Sequence, residues 1–146
     1  MTGLEVLRAI ATGELPPAPF ADLVGLEPVD AEEGRVVFAA MPEPRHENAL
    51  GTAHGGLAAT LLDSAMGCAV HSTLPAGVGY TTLELKVNFT RAITSVTGRI
   101  VCEGTVLHRG GRVATAEGRL VAEATGKLLA HGTTTCVILS PNGHGA

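Results

Sequence analysis

The residues of this sequence best suited to chemistry lie between positions 48 and 63. Gly55 and Gly56 precede a run of apolar residues with helical spacing, and one carboxylate, Asp63, is set among them. Burying an isolated carboxylate is costly, so such a group is normally paired or used. The glycines fall where the helix must start. There the first backbone N–H groups lack intrahelical partners, and the helix dipole favours negative charge. Without a Cβ, the backbone also admits a bulky carbonyl group closely. Donors at Gly55 and Gly56, joined by the Asn48 side-chain amide, can stabilise an oxyanion, with Asp63 as base or nucleophile beside the carbonyl. His54, just before the helix, can act as a base or ligand, but its position fits capping or loop orientation better. Asn48 can likewise use its amide on turn backbone.

Other chemistries find less support. Cys68, Cys102 and Cys136 are odd in number, widely spaced and each set among apolar residues. They are expected to be buried free thiols in a reducing cytoplasm rather than disulfides or zinc ligands. The six histidines show no metal-ligand spacing, so no metal is expected. A net charge of −4 with dispersed basic residues argues against nucleic-acid binding. No apolar run reaches the roughly 18 residues of a membrane helix. The N-terminus carries Glu5 and Arg8 where a secretory signal would be apolar.

The elements that must position these residues read as follows. With 146 residues the chain is expected to form a single domain, residues 1–146, with residues 1–22 as an N-terminal helix and a proline-rich connector. Thr2 and Glu5 have capping-box spacing, Leu4, Leu7 and Ala11 share a face, and Gly13 can end that helix. Residues 26–41 read as a hairpin turning at Glu33–Gly34, with Pro42 and Pro44 stopping its second strand. A loop leads to the one long helix, Gly55 to about Leu74, which has almost no polar face and must be nearly surrounded. In residues 80–89, Leu83, Leu85, Val87 and Phe89 alternate with Thr82, Glu84, Lys86 and Asn88, predicting a strand with Thr82 on its polar face. Three more strands follow, turning at Arg109–Gly111 and Thr125–Lys127. Helices against an antiparallel sheet make an α+β domain, with the sheet curling around the long helix. Hydrophobic residues are 45% of the chain and its mean hydropathy is +0.29, a surplus read as subunit interface.

The pattern N-x-x-G-T-x-H-G-G-x-x-x-x-L-x-D-x-A-x-G, from Asn48 to Gly67, resembles the signature of hotdog-fold acyl-CoA thioesterases of the phenylacetate-pathway (PaaI-like) branch. The resemblance extends through "GVGYTTLELKVNFTR", "HRGGRVATAEGRL" and "AHGTTTC". One departure is Ala92, where the family usually has proline. The resemblance implies hydrolysis of an acyl-CoA thioester with no metal or redox cofactor. It makes Asp63 the general base or the nucleophile, Thr82 the residue that orients the water, and Asn48 and Gly55 the oxyanion donors. Arg91, Arg109 and Arg112 are the candidates for the CoA phosphates. Gly55 and Asp63 are eight residues apart on one helix, about 12 Å at 1.5 Å per residue. Asp63 is therefore expected to serve the helix start of a neighbouring subunit, as the resemblance also implies, in a homodimer or homotetramer. The rival readings are a hotdog enoyl-CoA hydratase or dehydratase using His54 with Asp63, and a non-catalytic acyl-CoA-binding protein.

Overall fold

The computed structural model describes residues 1–140. Helix α1 (Gly3–Ala11) and helix α2 (Pro19–Val24) precede the hairpin of strands β1 (Glu27–Glu32) and β2 (Arg35–Ala40). Helix α3 (Gly55–His71) follows, then β3 (Gly79–Phe89), β4 (Ile100–Arg109), β5 (Val113–Ala122) and β6 (Leu128–Leu139). The six strands form one antiparallel sheet in the order β1-β2-β4-β5-β6-β3. β3 therefore skips its sequence neighbour and forms an edge beside β6. Helices against an antiparallel sheet give the expected α+β hotdog architecture.

The sheet wraps α3 because glycine makes room for it. Gly104 of β4 and Gly118 of β5 are directly paired and face the helix, while Gly132, next in the row on β6, makes room for the β3 backbone at Lys86. A Cβ on Gly104 would stand 2.4 Å from the Ala65 carbonyl, and one on Gly118 would stand 3.0 Å from Leu62 and Met66. Only glycine at position 104 admits the helix backbone so closely, and glycine at 118 leaves room for the helix side chains. Leu61, Leu62, Ala65 and Met66 are fully buried against that surface. The remaining stripe of α3, through Thr60, Asp63, Ser64, Cys68 and His71, is half-buried. The helix thus has a polar stripe where its sequence showed almost none, because small and weakly polar residues fill it.

The N-terminal segment crosses the sheet's open side. Thr2 and Glu5 form the expected capping box, but α1 buries Leu7 and Ala9 while Ala11 is exposed. The segment expected to be a plain connector contains α2, begun by Pro19 and stopped by Gly25 at φ 85°. Proline fits a first helical position and glycine a left-handed end, so the same residues that read as a linker also delimit a short helix.

β3 departs from simple alternation. Its register with β6 shifts between Thr82, opposite Cys136, and Glu84, opposite Thr135. Leu83 is the extra residue of this bulge and is 62% exposed. Beyond it Leu85 lies opposite Thr134 and Phe89 opposite Ala130. Cys136, Thr134 and Ala130 share one face of β6, so Thr82 lies on the same face as Leu85 and Phe89, toward α3. That corrects the expectation of Thr82 on an opposite, polar face: one inserted residue flips the alternation.

The three cysteines are free, with Cys102 and Cys136 buried and Cys68 partly so. Among the described residues no helix is long and apolar enough to cross a membrane.

Candidate active site

His54 caps α3, its Nδ1 accepting the Gly56 N–H at 2.8 Å. An accepting Nδ1 fixes the neutral tautomer with its proton on Nε2. The Leu57 N–H returns to the His54 carbonyl at 2.9 Å. Among the described residues the Gly55 N–H has no partner, so it is the one donor of the first turn left to a ligand. The expectation that Gly55 and Gly56 act together is corrected here, because the cap occupies Gly56. His54 does what its position favoured, and its own N–H is held by the His46 carbonyl at 2.7 Å.

Asn48 closes the loop before the helix. Its side-chain oxygen accepts the Leu50 N–H at 2.8 Å and the Thr52 N–H at 3.4 Å, and its amide nitrogen donates to Thr52 Oγ1 at 3.0 Å. The amide thus organises turn backbone and keeps one N–H to offer elsewhere.

Asp63 is half-buried on the polar stripe of α3, and the Thr82 hydroxyl donates to its Oδ1 at 2.9 Å. The bulge in β3 makes this contact possible by turning Thr82 toward the helix. Oδ2 makes no hydrogen bond among the described residues and can accept from a water or a substrate. Asp63 and Gly55 sit on one uninterrupted helix, two turns apart.

Asp63 also borders a cavity of about 230 Å³ that runs under α1 and α2. Tyr80 and Cys68 line it beside the carboxylate. Their roles were not legible in the sequence, although Tyr80 is its single tyrosine. Gly67 accommodates the ring, since a Cβ there would meet the Tyr80 hydroxyl at 2.8 Å. Burial pushes the Cys68 thiol up to about 12, and raises the Tyr80 phenol well above its ordinary value. Both are protonated at neutral pH, which removes Cys68 as a nucleophile.

The three candidate arginines do not form one cluster within the chain. Arg91 follows β3 and borders a recess with Gly55, His54 and Phe89. Arg109 ends β4 in the row that runs through Ala114 and Cys136 to Thr82. Arg112 is in the adjoining β4–β5 turn, where its carbonyl accepts the Ile138 N–H at 2.8 Å. None of the three forms an ion pair among the described residues, whereas Arg35, Arg45 and Arg99 do.

The thioesterase superfamily matches residues 50–129, a span that includes the helix start, Asp63 and Thr82. The human acyl-coenzyme A thioesterase 13 is 36% identical over 108 residues, covering 73% of this chain and 75% of its own. Among solved structures, a conserved protein from Pseudomonas aeruginosa superposes with a TM-score of 0.78 at 32% identity, over 84% of this chain and 95% of that one. A phenylacetic acid degradation-related protein from Ralstonia eutropha does so with a TM-score of 0.81 at 26% identity, over 90% and 98%. Sequence and fold therefore agree that this chain belongs to the thioesterase superfamily, as a hotdog-fold thioester hydrolase of the PaaI-like kind.

Proposed function

We propose that the protein hydrolyses acyl-CoA thioesters, with Asp63 as general base and the Gly55 N–H and the free Asn48 N–H as oxyanion donors. The observation that carries the reading is the Thr82–Asp63 hydrogen bond. It fixes a carboxylate by one oxygen and leaves the other for a water, on a helix whose first N–H has no partner among the described residues. Asp63 takes a proton from that water as its oxygen attacks the thioester carbonyl. Negative charge then gathers on the carbonyl oxygen, where Gly55 and Asn48 donate. Collapse expels the CoA thiolate, which takes up the proton. Attack by Asp63 itself, through a mixed anhydride, makes less use of the Thr82 contact.

One chain cannot supply the whole site, because its own Gly55 lies about 12 Å along the helix from Asp63. The β3 edge is open and carries Leu83 at 62% and Phe89 at 60% exposure. Antiparallel pairing of two such edges buries these side chains and sets each Asp63 against the other copy's helix start. It also brings the Arg109 and Arg112 turn of one copy toward Arg91 of the other, gathering positive charge for the CoA phosphates. A homodimer, or a tetramer built from such dimers, is the assembly this reading requires. Three unpaired cysteines suit a reducing cytoplasm.

The rival hydratase reading needs His54 to move protons, and its Nδ1 is engaged in the helix cap. The test is thiol release from a panel of acyl-CoAs in EDTA, beside hydration of crotonyl-CoA. Thiol release without hydration is expected. Hydration without thiol release, or activity that EDTA abolishes and zinc restores, would overturn the reading.

A further inference from the structure

We infer that the cavity under residues 7–31 is the acyl-chain pocket, sized for straight acyl groups of about eight to ten carbons, an inference that rests on the proposed thioesterase reading. The cavity opens at the reacting carboxylate: Asp63, Ser64 and Cys68 of α3 form one wall, with Tyr80 beside them. A carbonyl held at Asp63 has the helix start of the neighbouring copy on its outer side, where the CoA must leave. The acyl chain is then directed inward, under α1 and α2.

The far walls are apolar, formed by Leu7, Ile10, Leu26 and Phe38. The only other carboxylate among the lining residues, Asp30, is paired with Arg35 at 2.9 Å. Nothing there invites a charged or strongly polar tail. The room exists because Ala11, Ala18, Ala21 and Ala31 border it, where larger apolar residues would have filled it. The strap above is held at its margins by polar contacts. The Gly3 N–H donates to the Leu74 carbonyl at 3.0 Å, and the Arg8 guanidinium donates to the Ala31 carbonyl at 3.2 Å. Protein interiors are close-packed, and an unfilled apolar space of this size weakens a fold. A strap tethered at its edges over an open centre is arranged for an occupant.

Size fixes the class of occupant. An apolar cavity of about 150 Å³ holds benzene, with six carbons. In proportion, the volume of about 230 Å³ holds about nine carbons. Acetyl leaves most of it empty, and palmitoyl overruns it.

The test is kcat/KM by thiol release across straight-chain acyl-CoAs from C2 to C16, for the wild type and for Ala21→Leu and Ala31→Leu. Wild-type kcat/KM should rise roughly fourfold per methylene, the value of one buried CH2, to an optimum at C8–C10, and then fall. Each leucine adds three carbons to the walls, so the octanoyl-to-butanoyl ratio should drop at least tenfold and the optimum should shorten. Thermal melts show whether the variants fold, and the wild-type profile decides the matter even if neither does. An optimum at or below C4 or at or above C14, or an unchanged ratio in two folded variants, would overturn the inference and leave thioester hydrolysis standing. Absence of thiol release from every acyl-CoA would reject the proposed function and the inference with it.

Discussion

The division of the site between two chains can be tested by complementation. A base works within about 2.6–3.2 Å of the proton it takes. Gly55 and Asp63 of one chain are separated by about 12 Å of helix, so a single carbonyl cannot touch both. In the Asp63→Ala homodimer both sites lack their base, and turnover should fall by about 10²- to 10⁴-fold. In the Asn48→Ala homodimer both sites lose an oxyanion donor, and the loop closed by bonds to Leu50 and Thr52 loosens as well. A loss of up to about 10²-fold is expected there. The loop damage does not confuse the experiment, because it falls on the same Gly55 side of the same site. In a mixed dimer one site collects both lesions and the other receives neither. Differently tagged chains, co-expressed and purified through both tags, should then show about half the wild-type rate in a thiol-release assay, by counting sites in a symmetric dimer. That is well above either homodimer. If a site were built within one chain, every site in the mixed dimer would carry one lesion, and activity no higher than that of the better homodimer would refute the shared site.

Asp63→Asn keeps an oxygen for Thr82 while removing the basic group, so kcat should fall by about 10²- to 10⁴-fold with an unaltered melting temperature; retention of a third of kcat would show the assignment to be wrong. Gly104→Ala puts a Cβ 2.4 Å from the Ala65 backbone. Overpacking of this kind costs about 1–3 kcal/mol, which for a chain of this length lowers Tm by about 3–10 °C. Gly79→Ala, with nothing within 4 Å of its Cβ, is the control for calorimetry and should show no such loss. Burial pushes the Cys102 thiol from 9.0 up to about 12. Between those values the unfolded chain releases a proton that the folded chain keeps, so stability falls as pH rises, by up to about 1.4 kcal/mol per pH unit. Urea midpoints taken at pH 8 and at pH 10.5 should converge in Cys102→Ala relative to the wild type.

Most of the fold was legible because its signals are local. The Thr2–Glu5 cap, the Glu33–Gly34 turn and the glycine turns after β4 and β5 each declare themselves within a few residues. What escaped depends on partners distant in sequence. The bulge at Leu83 is specified by pairing with β6, some fifty residues later, and "YTTLELKVNF" alternates so well that it hides the inserted residue. The pairing of β3 with β6 instead of β4 is likewise a property of the closed sheet. α2 was concealed because proline and glycine punctuate both linkers and short helices.

The site shows the same division between local and distant information, with a chemical consequence. Asp63 stood out in the sequence because a carboxylate among apolar residues needs a reason, and its neighbourhood supplies one. Gly104 and Gly118 let the sheet close on α3, and the helix stripe turned away from them is left to small and polar residues. Asp63 sits there half-buried, with its Oδ1 accepting from the Thr82 hydroxyl. The side chains that tell Gly55 from Gly56, and Asn48 the loop brace from Asn48 the donor, act through hydrogen bonds spanning only two to four residues. Sequence type alone permitted either choice at each of these positions. Geometry then separates the cap at Gly56 from Gly55, whose N–H has no partner among the described residues, and shows Asn48 bracing its loop with one amide N–H to spare. Under the proposed function, such a chain would carry one half of a site at the start of its helix and the other half two turns along, and a second copy would be the simplest means of joining them.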